Sequence, residues 1–304
     1  MSAAAERATV SVIVPTTALA VRRGLIDRAI DSILDQTGVR AVPTVIVNGP
    51  ARDPDVTRAL MGDVRLRVHI IEERGLANAL RVGRRLVDSP WFAELDDDDE
   101  LLPCALESRV EALIRHEDYD CVVTNGYRRC FGEDTLHVAD MNVVERDPVR
   151  AFWDLNWLLP GSYLCRTDRV RPDLFDGTPE FLECSYLALR LATTYRIRFV
   201  QSPTVIWNQH MPASLSNSRG FILSQPQAHE HLLKLKLPPY ARRKVLERIV
   251  ANLHSGSDFL LGEGARLEAW RWHLRCLLRQ GGYRYLPYTR KLLRSTLIPK
   301  GVVP

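Results

Sequence analysis

The sequence lacks cysteines at CxxC or zinc-finger spacing, lacks any apolar run approaching the roughly 18 residues of a membrane span, and lacks a glycine-rich loop after its opening strand. Each absence removes a class. Cys104, Cys121, Cys130, Cys165, Cys184 and Cys276 are scattered, which suits reduced thiols better than a disulfide framework. The first nine residues hold no apolar core of a secretory signal, so the expected location is cytoplasmic. The segment Pro15-Thr-Thr-Ala-Leu-Ala20 has no G-x-G-x-x-G, which argues against a dehydrogenase. It also lacks the Arg- and Lys-bearing loop that a sugar-phosphate nucleotidyltransferase needs. Disorder is excluded as well, because 304 residues with 46% hydrophobic content can bury a large core, enough for about two units.

Acidic residues are scarce in one part of the chain. Residues 219–304 hold 5 Asp and Glu against 16 Lys and Arg, whereas residues 1–218 hold 32 against 25. A region of net charge +11 therefore follows a body of −7. Such asymmetry suggests an anionic partner, a phospholipid surface or nucleic acid, with a solvated helical face as the plain alternative.

In the body, apolar runs of strand length alternate with segments of helical period, the pattern of an α/β fold with a mostly parallel sheet. Val10–Val14 is a run of β-branched residues broken only by Ser11 and reads as the central strand, covered on both faces. Ile26, Ala29, Ile30, Ile33 and Leu34 form the apolar stripe of a first crossover helix. Further strands are expected at Val45–Val47, Leu66–Ile70, Trp91–Leu95, Cys121–Thr124, Tyr163–Arg166 and Ile197–Val200. Helices are expected at Leu76–Val87, with Arg81, Arg84 and Arg85 outward, from Pro103 through Leu113, and at Leu182–Ala192. The stretch from 124 to 154 is poorly periodic. Beyond Phe221 no strand is expected, only helices broken at Pro238-Pro239, Gly262–Gly264, Gly281-Gly282 and Pro287.

The strand Trp91–Leu95 runs directly into Asp96-Asp-Asp-Asp99 and Glu100. Aspartate is depleted in strands and clustered carboxylates repel, so something must offset the repulsion. A hard divalent cation does so, and Mg²⁺ or Mn²⁺ commonly sits between protein carboxylates and substrate phosphates. Ligands of open α/β sheets also bind beyond the carboxyl ends of strands. The plainer account is an acidic helix N-terminus, with Asp98 or Asp99 capping the helix opened by Pro103.

The order of Val10-Ser-Val-Ile-Val-Pro-Thr16, Val45-Ile-Val-Asn-Gly49, Gly75-Leu-Ala-Asn-Ala-Leu80, Leu95-Asp-Asp-Asp-Asp99 with Pro103, and Glu183 through Arg190-Leu191 resembles the family 2 glycosyltransferases of GT-A fold. The resemblance covers about residues 9–217. It implies a Rossmann-like catalytic domain, residues 1–218, followed by a helical appendage, residues 219–304. It implies transfer of a sugar from a nucleotide diphosphate-sugar to a hydroxyl acceptor with inversion, assisted by Mn²⁺ or Mg²⁺. Pro15 and Thr16 would line the nucleotide pocket. Asn48 would stand where the family usually has an acid facing the base, or would be a turn residue before Gly49. Gly75 and Asn78 would lie near ribose and diphosphate, with Arg74 or Arg81 available to phosphate. Asp96 and Asp98 match the metal positions of the family's Asp-X-Asp signature, with Asp97 near ribose or sugar. His210, with Ser214 and Ser216, resembles a segment that closes over the donor phosphates, which makes His210 a further candidate metal ligand.

The family's general base usually comes from a Glu-Asp pair at a helix start, where this chain has Glu183-Cys184. Glu183 is the favoured base, with Asp176 or Glu180 as substitutes and first-turn dipole stabilisation as the plain reading. Nothing in the sequence near Cys184 partners it as a nucleophile. Trp153, Trp157 and Trp207 are candidate sugar platforms or core residues. The resemblance implies a hydroxyl acceptor that is a saccharide, a lipid-linked glycan or a small molecule. Aromatic and basic residues interleave from Trp270 to Lys300, consistent with peripheral membrane contact, while packing on the body or dimer formation explains the apolar positions as well. The rival from another class is a non-catalytic nucleotide-sugar or nucleic-acid binding protein, in which Cys184 marks lost activity.

Overall fold

A computed structural model describes residues 7–209 and 218–297. The chain divides into two compact units, Met1–Ser214 and Leu215–Pro304.

In the first unit β1 (Thr9–Thr16) is buried almost throughout and pairs in parallel with β2 (Arg40–Asn48) on one side and β4 (Trp91–Glu94) on the other. β3 (Arg67–Ile71) extends the parallel part beyond β2. Alternation along β1 sends Val10, Val12 and Val14 to one core and Ile13 to a second on the opposite face. Helix α1 (Arg23–Leu34) covers the first face through Ile26, Ala29, Ile30 and Ile33, the stripe its spacing predicts. Helix α2 (Pro54–Gly62) is not apparent in the sequence, because Arg52-Asp-Pro-Asp55 reads as a turn. It begins on an Asp53 cap, whose carboxylate accepts from Asp55 N and Val56 N, with Pro54 at the first helical position.

Helix α3 (Leu76–Leu86) packs against the second face. A side chain at Gly83 would lie 2.3 Å from Ile13 Cγ2, so only glycine lets the helix approach β1 this closely. Arg84, expected outward, is instead buried at 2% exposure. Its guanidinium donates to the carbonyls of Thr167 and Val170 and lies 4.3 Å from the centre of the Phe92 ring. Those partners come from distant segments, so period alone misplaces it.

Beyond β4 the sheet becomes mixed. β8 (Tyr163–Arg166) is antiparallel to both β4 and β6 (Cys121–Cys130), and β9 (Ile197–Asn208) is parallel to β6. The short β5 (Glu100–Leu101) pairs antiparallel with the end of β9. The full order is β3-β2-β1-β4-β8-β6-β9-β5, with β7 (Glu133–Leu136) beside β6. The poorly periodic stretch thus contains a hairpin, turned at Phe131 and Gly132 with φ of 50° and 87°, the positive pair such a two-residue turn needs. Two short helices follow, α5 (Met141–Arg146) and α6 (Pro148–Ala151), each opened by an aspartate cap. Helix α4 (Ala105–Arg115) follows the acidic segment, and α7 (Glu183–Thr194) precedes β9.

The second unit is helical: α8 (Arg219–Leu232), α9 (Pro239–Gly262), α10 (Arg266–Leu277) and α11 (Tyr288–Leu297). Its breaks fall where proline and positive-φ glycine predict, with Pro239 opening α9, and Gly264 and Gly281 at φ of 83° and 86°. Leu260, Ala269 and Leu292 form a small core among α9, α10 and α11.

Candidate active site

The carboxyl ends of β1, β2 and β4 converge on the acidic segment. Strand β4 holds one end of Asp96–Asp99 and β5 the other, so the run is a short loop pinned on both sides. Asp99 reaches β9, where its Oδ1 accepts from Asn208 N at 2.8 Å. The Asn208 amide donates back to the Asp98 carbonyl, also at 2.8 Å. Asp97 turns toward β1. It accepts from the Thr16 hydroxyl at 2.6 Å and from Arg22 Nε at 3.1 Å, and a second Arg22 nitrogen contacts its other oxygen. Arg22 also pairs with Asp98 Oδ2 at 3.1 Å. One guanidinium therefore serves two carboxylates of the run.

Asp96, Asp98 and Asp99 remain as an oxygen cluster whose nearest ligand atoms lie within 4.8 Å of one another. Asp99 Oδ2 is buried with no hydrogen-bond partner. Burial first, then the neighbouring carboxylates, pushes the Asp96 and Asp99 carboxyls well above the usual aspartate range. Asp98 is also raised by burial, with Arg22 opposing. An uncompensated oxygen among crowded carboxylates is what a hard divalent cation would satisfy, so the donor set fits Mg²⁺ or Mn²⁺.

The amide of Asn48 is committed on both sides. Its Nδ2 donates to the Thr16 carbonyl at 2.9 Å, and its Oδ1 accepts from Gly75 N at 3.1 Å. It ties the end of β1 to the start of α3. Gly75 itself has φ of 143°, and a side chain there would meet Glu180 Oε1 at 3.1 Å. Asn48→Ala strands a buried carbonyl and the Gly75 N–H, a loss of about 1–3 kcal/mol. We expect a lower denaturant midpoint and weaker nucleotide binding; an unchanged midpoint would show that water replaces the amide without loss.

Pro15 and Thr16 are buried in β1, and the Thr16 hydroxyl also accepts from Ala18 N. Arg74 is exposed. Arg81 donates to Asn78 Oδ1 at 2.5 Å, while its Nε is buried without a partner. Glu183 begins α7 and shares a small cavity with Asp96, Glu94, Thr178 and Cys184. The fold thus brings Glu183 to the acidic run across more than eighty residues of sequence. Burial pushes its carboxyl up to about 6, against backbone N–H groups that hold it down. The Cys184 thiol is pushed well up by burial and by the charges of Glu94, Asp96 and Glu183, so it stays protonated. Asp176 faces Arg85 at 3.5 Å. His210, Ser214 and Ser216 lie outside the described residues.

Of the tryptophans, Trp157 is core, 1% exposed, with its indole donating to the Pro148 carbonyl. Trp153 and Trp207 are half-buried, and Trp207 meets His137 edge to face. The sequence reading missed Arg22, Glu94 and Asn208. Glu94 carried a usable signal, as a lone acid inside the apolar strand Trp91–Leu95; it is 3% exposed and burial pushes it up to about 7. Arg22 and Asn208 carried none, since their partners are set by the loop after β1 and by the pairing of β5 with β9.

The model of the family described as Glycosyl transferase family 2 matches residues 11–173. Among curated proteins nothing matches the chain. Among solved structures it is similar to residues 1–349 of S. aureus TarS in complex with UDP-GlcNAc, at 14% identity and a TM-score of 0.54, over 88% of this chain and 79% of that one. The longer S. aureus TarS structure is matched at 15% identity and a TM-score of 0.51, over 93% of this chain and 53% of that one. At these identities the likeness is one of fold.

Proposed function

The chain belongs to glycosyl transferase family 2 and is a nucleotide-sugar glycosyltransferase of GT-A fold, and from that premise we propose an inverting, metal-assisted transfer to a hydroxyl acceptor. The observation that carries it is the placing of Glu183 in one cavity with Asp96, at the edge of the Asp96, Asp98 and Asp99 cluster. In this reading Asp98 and Asp96 hold Mn²⁺ or Mg²⁺, with Asp99 completing the oxygen set. The bound ion supplies Lewis acidity to the donor diphosphate as the leaving nucleotide gains charge. Thr16 and Arg22 fix Asp97, and through it the loop. Asn48 and Gly75 shape the floor beneath the nucleotide, and Asn78, Arg74 and Arg81 stand where its phosphates would lie. Glu183 takes the proton from the acceptor hydroxyl during in-line attack at the anomeric carbon. A reducing, cytoplasmic setting suits the six unpaired thiols. The similar TarS structures are complexes with UDP-GlcNAc and with UDP, which makes uridine nucleotides the first donors to try.

The test is calorimetric titration of UDP, TDP, GDP and their sugar conjugates, each with Mn²⁺ and with excess chelator. One nucleotide bound only with metal is the expected result. No nucleotide bound under any condition would overturn the donor reading and leave the fold alone.

Arg22 gives a separate expectation. In the chelated protein it is the positive charge nearest two carboxylates of the run, so Arg22→Met should lower Tm by about 5 °C or more. With Mn²⁺ present the loss should shrink, because the ion supplies the missing charge. Equal losses with and without Mn²⁺ would show that Arg22 acts through packing alone.

A further inference from the structure

Helix α10 buries Ala269, His273 and Cys276 and exposes its other side. There Leu267 is 78% exposed, Leu274 53% and Leu278, just past the helix end, 86%. At helical period these three leucines fall within about 40° of one another, with Arg271 on the same stripe and Arg275 flanking it. The chain continues with exposed Tyr283 and Leu286, and α11 adds exposed Leu293. Single exposed leucines are ordinary, but five within residues 267–293 are not.

The charges beside them are uncompensated. Arg271, Arg275, Arg284, Arg290 and Arg294 are exposed, and no ion pair joins any of them to a carboxylate among the described residues. Arg275 instead lies over the Trp272 ring at 5.6 Å. Unpaired guanidinium groups around exposed leucines restrict what can cover the face. A second copy of the chain, docked two-fold through this surface, would set arginine against arginine. A nucleic acid would take the arginines and leave the leucines in water. An anionic bilayer accepts both, leucines at the acyl boundary and guanidiniums among the headgroups. No helix among the described residues is long and apolar enough to cross a membrane, so the geometry is one of lying on the surface.

We infer that the face formed by Leu267, Leu274 and Leu278 with Arg271 and Arg275 docks this protein on an anionic phospholipid surface. The full chain is pelleted with vesicles of phosphatidylcholine alone and with about 30% phosphatidylserine. Partition onto the anionic vesicles should exceed that onto neutral ones by about tenfold or more and should collapse in about 0.5 M salt. Leu274→Ser with Leu278→Ser, and separately Arg271→Gln with Arg275→Gln, should each lower partition about tenfold. These side chains are exposed, so the fold should persist, which far-UV circular dichroism checks. Metal-dependent nucleotide binding should be unchanged in both variants, so a failure here is distinguishable from a failure of the donor reading. Equal partition onto neutral and anionic vesicles, or variants that bind as the parent does, would overturn the inference. So would concentration-dependent dimers that the leucine substitutions dissolve while no vesicle is bound, since the face would then belong to a second copy.

Discussion

Asp98→Asn is expected to lower metal-supported turnover by about 10²–10³ and to remove the metal-dependent part of donor binding. The size follows from what the ion supplies, several kcal/mol of charge stabilisation at about 1.4 kcal/mol per tenfold in rate. The variant keeps the shape of the side chain and removes one charge from the cluster. The fold should tolerate it, because burial and then crowding with other carboxylates already push the Asp96 and Asp99 carboxyls well up, and the Asp98 contact to Arg22 is only one of that arginine's pairs. Without metal, therefore, Tm should not fall. Turnover measured across Mn²⁺ concentrations separates the outcomes. A higher Mn²⁺ requirement with recovered rate means weakened ligation, whereas parent activity at parent Mn²⁺ would remove Asp98 from the metal site.

The acidic run was legible because it sets two physical rules against each other. Four aspartates at the end of a buried strand oppose strand propensity and repel one another, and such a conflict marks a site. The central strand and first crossover helix were legible for the opposite reason, since Val10, Val12, Ile13 and Val14 and the Ile26–Ile33 stripe all agree with burial. The breaks in the second unit followed from proline and glycine alone. What stayed hidden depends on partners distant in sequence. Arg22 acquires its role only when the loop after β1 folds over Asp97, and Asn208 only when β5 brings the end of β9 to the acidic run. Asn48 reads in the sequence as a residue facing the base or as a turn before Gly49, and the commitment of its amide to Thr16 and Gly75 was not legible. The hairpin of β6 and β7 was missed because its strand residues, Tyr127-Arg-Arg-Cys130 and Glu133-Asp-Thr-Leu136, are polar or half-exposed and give no apolar alternation.

Glu183→Gln is expected to spare donor binding and lower turnover by about 10²–10⁴, the usual contribution of a positioned proton acceptor. Its pH profile gives the sharper test. Burial raises the Glu183 carboxyl from 4.5 to about 6, so below that pH a growing fraction carries the proton it must accept. The parent rate, kcat/KM, should therefore rise about tenfold per pH unit below 6 and level off above it, while the Gln variant should show no such limb. The Glu180 carboxylate acts in the same direction as burial, since negative charge beside Glu183 makes it the stronger base. The thiol at 184 cannot replace it, because burial, with the charges of Glu94, Asp96 and Glu183, keeps the thiol protonated. Retained turnover in Glu183→Gln would move the base elsewhere, and Glu180 is the better placed substitute. Its carboxylate lies against Gly75 at the mouth of α3, whereas Asp176 is engaged with Arg85. Glu180→Gln in the Glu183→Gln background would then abolish the residual rate, and with it any acid limb that the single variant had kept.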